Sequence, residues 1–305
     1  MFSRVDAVEV SGPPTLLVHG LGLGPWMWER DQQLLKAQGV SSWAMQLPGH
    51  GTDAGAEVSL DELVQAVRAA HDEIAEETGQ KVAIVGHSLG GLVAQMLFDS
   101  LDFQAAVLMC PSPPAGVSFS LDRTLIKAGL RSAPSFLKGQ PIRISLETYA
   151  TTAMTQVEPA EHAAVHGRLT PWPNGLVRSL VRSRPTVAPI KPDFPVLVVL
   201  GGDDRVTQPQ TVRAVGDWYE SVVWRFDGVG HLPPLESGGE RMMNGIADFL
   251  LQPFERRIHG SEAFAPQDGA GTLVREVRDQ SRPKIPWTRT RLGGQSDRGR
   301  KVRKG

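Results

Sequence analysis

Gly86-His87-Ser88-Leu89-Gly90-Gly91 lies between the apolar run Val82-Ala83-Ile84-Val85 and the segment Leu92-Val93-Ala94-Gln95-Met96-Leu97-Phe98. That order reads as strand, sharp turn, helix. A serine on such a turn has its hydroxyl lifted out of the sheet at the start of the helix. Glycines at 86 and 90 suit a strained turn packed against its neighbours, where a side chain has no room. The helix N-terminus beside the serine offers free N–H groups and the positive end of its dipole to a developing anion. The pattern G-x-S-x-G therefore marks Ser88 as a candidate nucleophile.

The alternation continues in both directions. Upstream, Thr15-Leu16-Leu17-Val18 ends at His19-Gly20, and Trp43 to Leu47 ends at Pro48-Gly49-His50-Gly51. A helical segment from about Trp26 to Gln38, closed by Gly39, separates them. Leu60, Leu63, Val64, Val67 and Ile74 then recur with helical period. Ser59 followed by Glu62 reads as a capping box, and Gly79 as the C-terminal stop. Downstream come the apolar runs Ala105 to Met109, Pro195 to Gly201 and Val222 to Phe226. Helical patterns near 208–219 and 239–251 complete the series. Strands alternating with helices predict an α/β architecture, a mostly parallel sheet covered by helices on both faces.

The alternation breaks at Pro111-Ser112-Pro113-Pro114 and resumes only after Pro192. The expected organisation is a core formed by 1–111 and 193–252, with 112–192 as a helical lid inserted between two strands. Beyond Pro253 the chain turns rich in Gly, Ser and Arg with little periodicity, so 253–305 reads as a linker and a disordered basic tail. The formal net charge of −1 conceals an asymmetry: 281–305 carries +8 and the remainder −9. Such a tail could neutralise an anionic partner, although a solvated extension is the simpler reading. One cysteine, Cys110, precludes a disulfide within the chain and fits a reducing compartment. Met1 to Val10 lacks the apolar run of a signal peptide, and no stretch approaches the roughly 18 apolar residues of a membrane span. A cytoplasmic protein with no membrane span is expected.

A serine hydroxyl needs a base to take its proton and a third group to hold that base. Both types follow late strands. Gly201-Gly202-Asp203-Asp204-Arg205 supplies acids, and Gly228-Val229-Gly230-His231-Leu232-Pro233 supplies an imidazole. The order Ser88, Asp204, His231 resembles that of the α/β-hydrolase superfamily in its lidded esterase/lipase-like form, over roughly residues 12–252. His19-Gly20-Leu21-Gly22 is similar to the family's loop after an early strand. The resemblance implies an oxyanion hole formed by the backbone N–H groups of Leu21 and Leu89. Gly201-x-x-Asp204 is similar to the family's G-x-x-D, so the resemblance implies Asp204 as the triad acid, with Asp203 as the fallback. Pro48-Gly49-His50-Gly51 matches a turn that often begins with aspartate, where this chain has Gln46.

The resemblance implies a serine hydrolase on a small-molecule acyl substrate: a carboxylic ester first, a lactone or thioester next. Carbon–carbon bond hydrolases, acyltransferases and cofactor-free haloperoxidase-like enzymes share the triad and stay open. Relatives with an aspartate at the elbow do not fit Ser88. A ligand-binding receptor or scaffold is the alternative from another class. Trp26, Trp28 and Trp172 are equally open as acyl-pocket walls or ordinary packing, and His87 is expected to pack. No cofactor is expected: no His/Cys/Asp cluster has metal-ligand spacing, and no G-x-x-x-x-G-K-[ST] signals a nucleotide.

Overall fold

The computed structural model describes residues 2–120, 123–188, 190–252 and 272–273. Its centre is one sheet. β1 (Phe2–Val5), β2 (Thr15–Val18), β3 (Ser42–Met45), β4 (Ala83–His87), β5 (Ala105–Met109), β6 (Val196–Gly201), β7 (Val222–Phe226) and β8 (Thr272–Leu273) lie in the order β1-β3-β2-β4-β5-β6-β7-β8. Strands β2 to β7 are parallel, while β1 on β3 and β8 on β7 are antiparallel edges. β1 escapes a reading by hydrophobic period because FSRV sets two exposed polar residues side by side between half-buried ends, at an edge of the sheet. The basic segment 281–305, its expected disorder and its anionic partner lie outside the described residues, as does most of 253–280.

The continuous apolar runs have a simple cause. Successive side chains on a strand point to opposite faces, and here both faces are covered. Leu16, Val18, Ile84, Leu108 and Val198 pack on one face under α2 (Leu60–Thr78), α3 (Leu89–Leu97) and α8 (Pro209–Tyr219). Leu17, Val85, Val107, Met109 and Val199 pack on the other under α1 (Glu29–Ala37) and α9 (Gly239–Leu251). The segment expected to be helical from Trp26 begins as a 3-10 turn, Pro25–Trp28, before α1. Between β5 and β6 the chain forms α4 (Arg123–Leu137), α5 (Leu146–Thr152), α6 (His162–Arg168) and α7 (Asn174–Arg182), with one isolated bridge between Ile142 and Trp172.

Local chemistry sets the ends of α2. The Ser59 hydroxyl accepts from the Glu62 amide at 3.2 Å, and the Glu62 carboxylate accepts from the Ser59 amide at 2.7 Å. At the other end Gly79 takes φ 65°, which closes the helix through a bond from its N–H to the Ala75 carbonyl. Ser59→Ala should lower the unfolding free energy by about 1 kcal/mol. Urea denaturation checks this.

Candidate active site

Four loops at the carboxyl ends of parallel strands meet at one place, the usual position for a site in an open α/β sheet. They follow β2, β4, β6 and β7. The turn after β4 holds Ser88 at φ 51° and ψ −114°. A non-glycine residue there carries strain of about 1–3 kcal/mol, sustained by its surroundings. Those surroundings leave no room for more atoms. A Cβ on Gly86 would stand 2.6 Å from the Gly90 carbonyl oxygen, and one on Gly90 would stand 2.7 Å from that of His19. The glycines of G-x-S-x-G are thus demanded by close backbone approach. Ser88 caps α3 without a side-chain bond to the helix, so its hydroxyl is available for another partner.

That partner is His231, whose Nε2 lies 3.2 Å from Ser88 Oγ. His231 Nδ1 lies 2.8 Å from Asp204 Oδ2. The second carboxylate oxygen, Oδ1, accepts from the Val206 and Thr207 amides at 2.7 and 2.9 Å. Ser88, His231 and Asp204 are all buried, so these bonds run in a poorly hydrated setting. Asp203 turns away: its Oδ2 accepts from the Gly228 amide at 3.1 Å and from Gln156 Nε2 at 3.4 Å. The structure therefore joins Asp204 to His231 and leaves Asp203 as a loop tie.

The loop after β2 runs beside the serine. A Cβ on Gly20 would lie 3.0 Å from Ser88 Cβ, so this loop packs directly on the elbow. Leu89 is the first residue of α3, and its N–H has no acceptor within the helix. His19 braces this loop from below. Its Nδ1 donates to the Gly20 carbonyl at 2.8 Å, and its Nε2 accepts from the Leu47 amide at 3.1 Å. Complete burial holds its pKa down at about 3, so the ring is neutral and able to accept. Gln46, at the departure from the resemblance's usual aspartate, also reaches His19 Nε2, at 3.3 Å.

His87 does more than fill space. Its Nε2 donates to the His231 carbonyl at 2.7 Å, and its ring meets Trp28 edge-on at 6.5 Å. Burial, with the nearby His231 second, holds its pKa down at about 3. Trp28 is fully buried behind it, while Trp26 lies under the Arg168 guanidinium at 4.5 Å and Trp172 packs on Gly22.

Two polar residues beside the acid and base have no motif to announce them. Thr207 Oγ1 lies 2.9 Å from both Asp204 Oδ2 and the Cys110 carbonyl, so its single O–H stands between two acceptors. Thr207→Val removes that donor at a buried carboxylate. It should cost about 1–2 kcal/mol of stability and reduce turnover several-fold. Urea unfolding and ester kinetics on the same preparation check both. The other residue is Glu236, six positions after Gly230. Burial drives the Cys110 thiol well above its ordinary pKa, with the Asp204 charge adding to the effect, so it stays protonated. Among the described residues no group of three or more His, Cys, Asp or Glu could hold a metal ion.

Residues 15–243 match the profile of the alpha/beta hydrolase family. The chain belongs to that family. A Mycoplasma genitalium protein that carries an esterase/lipase name is 24% identical over 249 residues, covering 77% of this chain and 88% of its own. Among solved structures, a thermophilic esterase from Thermogutta terrifontis superposes with a TM-score of 0.64 at 19% identity, over 82% of this chain and 92% of that one. A methylesterase from Arabidopsis superposes with a TM-score of 0.58 at 15% identity, over 77% and 98%. At these identities the structural likeness speaks to the fold. No helix among the described residues of this alpha/beta hydrolase is long and apolar enough to cross a membrane.

Proposed function

We propose that the protein is a carboxylic ester hydrolase that works through an acyl-enzyme on Ser88. The observation that carries this reading is the unbroken series Ser88 Oγ, His231, Asp204, at 3.2 and 2.8 Å. His231 Nε2 takes the hydroxyl proton as Oγ attacks the ester carbonyl carbon. Asp204 holds the ring with Nδ1 protonated and balances the imidazolium charge. The N–H groups of Leu21 and Leu89 receive the oxyanion. Collapse breaks the bond to the alcohol, which leaves with the proton from His231. Water then repeats the sequence in reverse and frees the acid and Ser88.

Residues 112–192 act as the lid that selects the substrate. They are tied to both sides of the site. The Thr170 amide donates to the Gly22 carbonyl at 2.9 Å, and Arg205 reaches the Thr151 carbonyl at 3.4 Å. The substrate is a small acyl compound, and the names of the relatives favour esters. On cysteine usage alone we place the enzyme in the cytoplasm.

The test is hydrolysis of p-nitrophenyl esters from acetyl to long acyl, with a lactone and a thioester beside them, by the wild type and Ser88→Ala. Turnover by the wild type that the substitution removes supports the reading, and the chain-length optimum sizes the space beneath the lid. Equal rates for the two proteins would overturn it.

A further inference from the structure

The loop that carries His231 is held by side chains on both sides of the histidine. Glu236, fully buried, accepts from the amides on both sides of the histidine: Gly230 N to Oε2 at 2.6 Å and Leu232 N to Oε1 at 3.0 Å. His87 takes the carbonyl of His231 itself. Arg30 on α1 donates to the carbonyls of Pro233 and Glu236 at 3.0 and 2.9 Å. Three side chains, none of them reaching the Ser88 hydroxyl, thus define where the imidazole sits.

We propose that Glu236 is a positioning residue for His231, and that only its ionised form holds the loop in the productive geometry. The inference rests on the reading of Ser88 and His231 given above. Two donors on two separate oxygens need two acceptors. A carboxylate supplies both, whereas a protonated acid gives one oxygen over to O–H. Gly230 N–H lies one peptide before the histidine's own and Leu232 N–H in the peptide just after it, so loss of either bond removes an anchor of the loop on that side of His231. A base within hydrogen-bond reach of Ser88 tolerates little rotation, since displacement of a reacting group by 1 Å can cost on the order of 100-fold.

The state of Glu236 is poised. Burial raises its pKa from 4.5 to about 7, and the two amide bonds oppose that rise. The charged and titratable groups around it are His231, which favours its anion, Asp204, which opposes it, and the protonated Cys110 thiol. Arg30 directs its Nη donors at carbonyl oxygens and lies 3.9 Å from Asp31. Activity should accordingly rise as Glu236 ionises through about pH 7, in addition to any dependence on His231 itself.

Glu236→Gln is a permanent imitation of the protonated acid, because its amide nitrogen cannot accept. We expect kcat to fall about 10-fold with KM changed less than about twofold, since the loop aims the base and does not bind the ester. The wild type should show a step of about 10-fold in kcat as Glu236 titrates near pH 7, and the variant should lack that step. A variant with the wild-type kcat, or one that keeps the step, overturns the proposal. A second measurement needs neither turnover nor this variant. In the Ser88→Ala protein, the His231 ring nitrogen shifts should show an inflection that coincides with titration of the Glu236 carboxyl carbon. Two independent titrations would overturn the proposal. A wild type inert towards every ester would instead remove the hydrolase reading, and leave the coupling of Glu236 to His231 to be decided by the spectra.

Discussion

Ser88→Ala is expected to lower kcat/KM for a p-nitrophenyl ester by about 10⁴-fold or more, with the unfolding midpoint in urea nearly unchanged. The large effect follows from the absence of a substitute nucleophile. Cys110 is buried, its thiol is kept protonated, and its Sγ faces the Gly230 carbonyl at 3.8 Å. The residual rate would come from binding and the two backbone amides, which the substitution leaves in place. The small effect on folding has an equally local cause. Ser88 Oγ makes no bond to its own helix, and Ala accepts φ 51° with much the same strain as Ser. A variant that lost stability and activity together would point to a turn serine with a structural role.

Asp204→Asn should cost almost as much, about 10⁴-fold in kcat, for a reason written in the hydrogen bonds. Oδ1 accepts from two amides, Val206 and Thr207, which fixes the asparagine oxygen at that position. The new NH₂ then faces His231 Nδ1 at the place where Oδ2 accepted. Two donors cannot meet, so the ring adopts the tautomer with its proton on Nε2, and Nε2 can no longer take a proton from Ser88. Asp203→Asn should stay within a few-fold of the wild type, because Asp203 bonds only the Gly228 amide and Gln156 in the hydrogen-bond network around it. Kinetics of the two variants under one set of conditions decide between neighbouring carboxylates. A severe loss in Asp203→Asn with Asp204→Asn spared would reverse the assignment.

Much of the architecture was legible because its signals are local. Continuous apolar runs read as buried strands, and Val222–Phe226 and Ala105–Met109 appear at those limits. Ser59, Glu62 and Gly79 mark the ends of α2 through bonds that span three or four residues. β1 was not legible, since an edge strand exposed on one side carries no strong period. The 3-10 turn before α1 was merged with the helix because Trp26 and Trp28 look equally helical in sequence. At the site, order and spacing suggested which residues to bring together, and G-x-x-D favoured Asp204 over its neighbour. Thr207, Glu236 and the bond from His87 to the His231 carbonyl gave no sign. Thr207 ties Asp204 to the Cys110 carbonyl 97 residues away, His87 reaches a carbonyl 144 residues away, and Glu236 closes a short loop that no motif marks.

The amino-acid sequence by itself determined the alternating sheet, the elbow at Ser88 and the order of serine, acid and imidazole along the chain. Each depends on periodicity or on steric needs within a few residues. Tertiary structure decided which oxygen of which aspartate faces His231, and how the loop of that histidine is held. Those outcomes depend on where β4, β6 and β7 end relative to one another, and on burial, which turns Glu236 from an ordinary surface carboxylate into a group that titrates near neutrality.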